Sequence, residues 1–209
     1  MAFTPIPIGS LAWGSPVNTA FTDQDARISD LESGGASAPT TGFLAVPYAP
    51  EHATGFSSTT SGTVYMVRVT LAAPATLSTL TLGIFTAQVT PTAGQNFAGL
   101  YDTAGTLLAV TADQSAVWNS VGEKNMAFTA PYAAPAGDYY LAFVNNAGTA
   151  MAIHRSTAAT TATTDMINHG MTASNARWTT GPTAQTSLPA SITMASRTLS
   201  GVAYWLGVS

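Results

Sequence analysis

The sequence predicts a mainly β protein: a jelly-roll-like β-sandwich preceded by an extended N-terminal arm and one short α-helix. From Phe43 onward, short runs of alternating or β-branched residues are separated by Gly, Pro, Asn and Asp, without a clear helical period. The 209 residues are 46% hydrophobic, which is enough for a substantial core. We therefore expect an arm and helix at 1–35, a linker at 36–42 and a β-sandwich at 43–209.

The first 14 residues are predicted to be an extended arm. Pro5 and Pro7 fix φ and favour a polyproline-type backbone. Apolar side chains recur along this arm and would anchor it in a groove of a partner protein: Phe3, Ile6, Ile8, Leu11 and Trp13.

A helix is predicted at about 16–32. Ser15 is a good N-cap, Pro16 suits the first helical position, and the Gly pair at 34–35 ends the segment. Five side chains follow the 4-3-4-3 spacing of a heptad seam: Val17, Phe21, Gln24, Ile28 and Leu31. In that register Arg27 and Glu32 occupy g and e positions, which meet between helices of a parallel coiled coil. The helix would then join identical chains, with a trimer expected; the alternative is an amphipathic helix packed on its own domain.

Eight strands are expected after the Gly- and Ser-containing linker, at 63–71, 78–86, 97–102, 106–111, 124–129, 138–145, 150–154 and 201–208. In the first, Tyr65, Val67, Val69 and Leu71 share the face predicted to enter the core. The strand at 138–145 is apolar on both faces, which favours a central position. Asp102 and Gly105 mark a hairpin turn.

The composition excludes several classes of function. Charged residues make up 8% of the chain, and the net charge of −4 leaves no basic patch for nucleic acid. Without cysteine there is no disulfide or thiolate metal site. No apolar run reaches the roughly 20 residues of a membrane span, and the N-terminus lacks the pattern of a signal peptide. We expect no cofactor, no membrane insertion and synthesis in a cytoplasm.

Catalytic candidates in the β domain are scattered. Glu51 and His52 adjoin, but neighbours on an extended chain point apart. Asp102 and Asp138 lie at turns or strand starts, where Asp commonly binds nearby backbone. No metalloprotease, nucleophile-elbow or phosphate-loop motif is present. The sequence therefore predicts a protein that is not an enzyme.

The region 155–199 is rich in Thr and Ala, with little pattern, and is expected to form long loops with short strands between them. Loops on a rigid sandwich are common binding surfaces. Hydrogen-bond donors and one aromatic ring in or beside this region would suit the binding of a neutral or weakly acidic glycan. These residues are His154, Arg155, His169, Asn175, Arg177 and Trp178. By contrast, Trp118 is predicted to be buried, and Trp205 to belong to the core or to a subunit interface.

The stretch 96–144 carries "GLYDTAGTLLAVTADQSAVW" and then "TAPYAAPAGDYYLA". It resembles a β-sandwich module of minor tail and fibre proteins of phages that infect actinobacteria. A second resemblance lies near the N-terminus. The short helix that often precedes such modules in phage virion proteins is similar to the stretch "PVNTAFTDQDARISDLE". The resemblance implies a virion structural protein, with contact to the host envelope as a further role, and leaves its position in the virion open. We also expect the arm and helix to contact other virion proteins.

We therefore expect a homotrimeric minor tail or fibre protein, located in the virion, that displays its β domain outward, with host-surface attachment as a further role. A capsid decoration or head-fibre protein is the first alternative. The second is a lectin-like module whose main function is glycan binding.

Overall fold

The computed structural model describes residues 42–156 and 167–209. The chain divides into two units, Met1–Ser37 and Ala38–Ser209, and every described residue belongs to the second. The predicted arm, the predicted helix with its seam, and the linker up to residue 41 lie outside the described residues.

The described residues are mainly β and pair in antiparallel sheets. The strands are β1 (Gly55–Ser58), β2 (Val64–Leu71), β3 (Ala75–Thr86), β4 (Val89–Pro91), β5 (Phe97–Tyr101), β6 (Leu107–Val110), β7 (Gly122–Ala134), β8 (Gly137–Val144), β9 (Ala147–Thr149), β10 (Ala152–Arg155), β11 (Trp178–Thr180), β12 (Thr198–Leu199) and β13 (Leu206–Val208). Short 3-10 helices occupy Pro50–His52 and Met194–Ser196. No helix within 42–156 and 167–209 is long and apolar enough to cross a membrane.

The first sheet is organised around β3, the second longest strand of the described chain. β7 pairs with it from Ala75 to Ile84, while β10 and β13 pair with its residues 84–86 and 80–82. A strand has two edges, so β10 and β13 share the edge opposite β7. β1 pairs with β10 and ends this side of the sheet.

The second sheet has the order β12-β11-β2-β8-β5-β6, and β4 and β9 form a separate two-stranded pair. β8 lies between β2 and β5, as its two apolar faces predicted. Both faces are buried from Tyr139 to Val144.

One core joins the two sheets. The predicted inward face of β2 contributes Tyr65, Val67, Val69 and Leu71 to it, so that prediction is confirmed. From the first sheet, alternate residues of β3 enter the same cluster: Leu80, Leu82 and Ile84. Trp118 is fully buried there, as expected, and Trp205 is also buried. The last predicted strand is shorter than 201–208, because only Leu206–Val208 pairs continuously with β3.

The outer face of the second sheet is covered by residues 181–197, which we call the covering segment. Its side chains Leu188, Ile192 and Met194 form a second apolar cluster with the outward residues of β2 and β8. Hydrogen bonds fix it at several points: the Tyr101 hydroxyl donates to the Pro189 carbonyl at 2.6 Å, and the Leu107 amide to the Ala190 carbonyl at 3.0 Å. Much of the region predicted to be recognition loops is therefore part of the packing of the domain.

Candidate functional site

The carboxylates considered as catalytic candidates serve local structure. The Asp102 side chain accepts a hydrogen bond from the Thr106 amide (2.7 Å) and closes the predicted hairpin turn. Asp138 forms the salt bridge of the described chain with Arg68 and accepts a second hydrogen bond from Thr70 (2.6 Å). Partial burial acts to raise the pKa of Asp138, but the hydrogen bonds and the charge of Arg68 outweigh it and lower that pKa.

Asp113 is held in the same way. Its carboxylate oxygens accept hydrogen bonds from the Asn96 amide (3.1 Å) and from the Ser115 hydroxyl. Partial burial acts to raise the pKa of Asp113, but these hydrogen bonds outweigh it and lower that pKa.

The other candidates do not form a reactive centre with these carboxylates. Glu51 and His52 lie in a 3-10 turn, not in the extended segment expected, and both are exposed. Asp165 lies outside the described residues. Among the residues that the structure describes, no cluster of three His, Asp or Glu side chains could hold a metal.

Trp178 is the predicted glycan-stacking ring, and this prediction is wrong. It begins β11 opposite Val67, and because Val67 faces the core, the indole does too. It is 6% exposed and donates from Nε1 to the Tyr204 carbonyl at 3.0 Å. A sugar has no access to this ring, and replacing it would disturb the core.

The loop before β11 keeps three predicted contact residues at the surface: His169, Asn175 and Arg177. Of these, Asn175 uses its side-chain oxygen to accept from the Thr172 amide (2.8 Å), which stabilises the turn. The loop is held by Asn168, which is buried and was missed from the sequence. Its amide nitrogen donates to the Ser200 carbonyl (3.1 Å), and its oxygen accepts from the Arg177 amide (3.0 Å).

His154 and Arg155, the remaining predicted contacts, lie on β10 in the first sheet, whereas Trp178 belongs to the second. The predicted set is therefore divided between two places. Arg155 donates from Nε to the Phe56 carbonyl (2.9 Å) and from Nη1 to the Ser156 carbonyl (2.8 Å). His154 pairs with Phe56 of β1 and points away from the core, since Ile153 points into it.

Phe56, Phe85 and His154 form what we call the aromatic patch, on the outer face of the first sheet. The two phenyl rings are stacked, with centroids 3.7 Å apart and planes 4° from parallel. The imidazole meets the Phe85 ring edge-on, at 5.8 Å and 83°. Phe56 is 49% exposed and Phe85 46% exposed, so two large apolar side chains are left open to solvent.

The backbone beneath the patch explains the position of His154. Gly83 of β3 lies under the imidazole, and a Cβ at Gly83 would stand 2.8 Å from His154 Cδ2. Nδ1 of His154 donates to the Ala53 carbonyl (3.1 Å), so in the neutral ring Nε2 is the acceptor. This hydrogen bond ties the imidazole to the segment that precedes β1.

Polar side chains border the patch on β7. Glu123 pairs with Gly83 across the strands, and Asn125 pairs with Thr81. The Asn125 amide donates to Glu123 Oε1 (2.9 Å), while the Thr81 hydroxyl donates to Asn125 Oδ1 (2.6 Å). This chain of hydrogen bonds holds the Glu123 carboxylate against Asn125 on β7.

Sequence reasoning missed Phe56 and Phe85, although a signal for Phe85 exists. On β3, alternation sends Leu80, Leu82 and Ile84 into the core, which places Phe85 on the outer face with Thr81 and Gly83. A large apolar residue on an otherwise small and polar face is unusual and can mark a contact surface.

Neither family models nor curated proteins yield a match to this chain.

Proposed function

We propose that the chain is a non-enzymatic virion structural protein of the minor tail or fibre type. In this proposal the N-terminal segment anchors it to other virion proteins and to sister chains, and the β domain is displayed outward. The two sheets would be the layers of a jelly-roll-like β-sandwich. The resemblance of residues 96–144 to tail and fibre modules supports the assignment.

The observation that carries this proposal is the role of the motif residues within that stretch. Tyr101 anchors the covering segment, Asp102 and Gly105 form the β5–β6 turn, and Trp118 fills the core. The motif thus consists of residues that build a fold module rather than a reactive centre. A likeness in such residues favours a shared architecture, and with it a structural role.

Two alternatives remain as proposals. A capsid decoration or head-fibre protein would use the same domain at much higher copy number. A lectin-like module is favoured by one specific observation, the exposed phenylalanine side chains of the aromatic patch. Host-surface attachment would combine this binding role with the virion location.

The test is to purify particles of the phage that carries this gene, quantify the chain by mass spectrometry and locate it by immunogold labelling. A few to a few tens of copies, with label on the tail, is the expected result. Hundreds of copies on the head would favour the decoration protein instead. Absence from purified particles would overturn the virion proposal.

A further inference from the structure

We propose that Asn145 and Gln88 form an internal water-binding site at one end of the β domain. Asn145 directly follows β8 and is 0% exposed, and Gln88 directly precedes β4 and is 3% exposed. Among the described residues, neither Nδ2 nor Oδ1 of Asn145 has a hydrogen-bond partner, and Oε1 of Gln88 has none either. The site does not depend on the proposed function.

The fold brings both side chains to the same end of the domain. Along β8, Phe143 enters the core between the sheets and Val144 the second apolar cluster, so alternation turns Asn145 toward the core. β4, which follows Gln88, pairs with β9, which begins two residues after Asn145. The Gln88 amide also donates to the Trp118 carbonyl (3.1 Å), and the Trp118 ring meets Phe143 edge-on at 6.4 Å.

A neighbouring buried amide shows the usual way in which this chain satisfies such a group. Asn96 is also 0% exposed, but its Oδ1 accepts from the Asn146 amide (2.9 Å) and its Nδ2 donates to the Thr92 carbonyl (2.7 Å). Within the described chain, the side chain of Asn145 makes neither kind of bond. A buried amide with an unpaired donor and an unpaired acceptor is unfavourable. Asn145 therefore requires a partner that the described chain does not supply.

Burial and chemistry restrict that partner to water. Because Asn145 is fully enclosed, a sugar, a peptide or a side chain of another copy cannot reach it. A cation could bind Oδ1 but would repel the Nδ2 hydrogens, and cation sites rely on carboxylates. Asp113, which borders this region through Asn96, already accepts from the Asn96 amide and the Ser115 hydroxyl.

Water can both donate and accept, so it matches all three unpaired atoms. It donates to Oδ1 of Asn145 and to Oε1 of Gln88, and it accepts from Nδ2 of Asn145. Buried waters typically make about three hydrogen bonds to polar groups that the protein leaves unpaired. One or two water molecules therefore suffice for the site.

The first experiment is a crystal structure of the full-length protein at about 1.5 Å resolution. We expect electron-density peaks at hydrogen-bond distance, about 2.7–3.2 Å, from Asn145 Nδ2 or Oδ1 and from Gln88 Oε1. Crystals soaked in rubidium chloride, whose cation scatters anomalously, should show no anomalous peak there. An anomalous peak would overturn the proposal in favour of a cation. The proposal is also overturned if no peak is present, or if Asn145 is bonded only to protein groups.

The second experiment compares Asn145→Leu with the matched variant Asn96→Leu by thermal unfolding. Asn145→Leu removes the amide together with its water, so the unfolding temperature should fall by about 3 °C or less. Asn96→Leu should lower it at least twice as much, because the Asn146 amide and the Thr92 carbonyl lose the side chain that binds them. Equal losses would show that Asn145 bonds to the protein as Asn96 does, and would contradict the water site.

Discussion

At the scale of single residues, Arg197 is the most unusual side chain of the described structure. It is 4% exposed, and its guanidinium lies over the Tyr140 ring, 4.2 Å from the centroid. Nη1 donates to the Thr179 hydroxyl (3.0 Å) and Nε to the Met194 carbonyl (3.2 Å), whereas Nη2 is buried without a hydrogen-bond partner. Burial lowers the pKa of the guanidinium. Arg197 thus fixes the end of the covering segment through a cation–π contact rather than an ion pair.

We predict that Arg197→Ala lowers the free energy of unfolding by about 2–4 kcal/mol, since it removes the cation–π contact and leaves a cavity. Arg197→Met should cost about 1–2 kcal/mol less, because it fills the space without a buried charge that lacks full hydrogen bonding. Urea unfolding of both variants measures the difference. If both variants lose the same free energy of unfolding, the charge of Arg197, and not its packing, stabilises the position of the covering segment.

The Asp138 salt bridge predicts a pH dependence. Its folded pKa lies below the unfolded value of about 3.9. Its contribution to stability is therefore present above that value and is lost as pH falls through the folded pKa. Asp138→Asn should lower the free energy of unfolding by about 0.5–1 kcal/mol at pH 7 and by less at pH 3. Glu51→Gln, at an exposed carboxylate, is the control, and a pH-independent effect of Asp138→Asn would contradict the assignment.

At the scale of elements, the covering segment and the β5–β6 turn hold each other. Thr106 forms a bridge with Ser191, and the Ile192 amide donates to the Gly105 carbonyl at 2.8 Å. Gly105 has φ +91°, and a Cβ there would lie 2.0 Å from the Ile192 carbonyl oxygen. Only glycine permits both the turn and this close approach of backbone. The turn is therefore a docking point for the segment as well as a connection.

This contact can be isolated with two glycine variants. Gly94 also has positive φ (+73°), but a Cβ there would meet nothing within 4 Å. Gly94→Ala should therefore lower the free energy of unfolding only by the cost of a left-handed backbone, roughly 1–2 kcal/mol. Gly105→Ala adds a clash with the Ile192 carbonyl and should lower the free energy of unfolding by at least about 2 kcal/mol more. Chemical denaturation gives both values; similar losses would mean that the covering segment shifts freely.

Elements whose conformation is set by neighbouring residues could be predicted from the sequence. The faces of β2 and β8 follow from alternation, and the β5–β6 turn from Asp102 and Gly105. What failed depends on distant pairing: Trp178 is buried because β11 pairs with β2, more than 100 residues earlier. The aromatic patch likewise requires β1 to pair with β10, which brings Phe56 to Phe85. Neither pairing leaves a local trace in the sequence.

At the scale of the whole molecule, residues near both ends of the second unit take part in its first core, from Ala45 to Val208. The strand β13 near the C-terminus is central to this arrangement, because it pairs with β3 and its Val208 also bridges Ala45. The described cores are thus closed by residues from both ends of the second unit.

We predict that a fragment of residues 42–209 folds on its own and unfolds within about 3 °C of the β domain in the full chain. It should be monomeric, whereas the full chain should be an oligomer, with a trimer expected from the seam.

The seam itself can be tested in the full chain. Ile28→Ser combined with Leu31→Ser should abolish the oligomer, because burial of each apolar side chain in the seam would contribute about 1.5–3 kcal/mol to its stability. Leu44→Ser, at an exposed apolar residue outside the seam, should leave it intact. Circular dichroism and light scattering at micromolar concentration measure both properties. A fragment that self-associates like the full chain would place the self-contact in the β domain and contradict the seam.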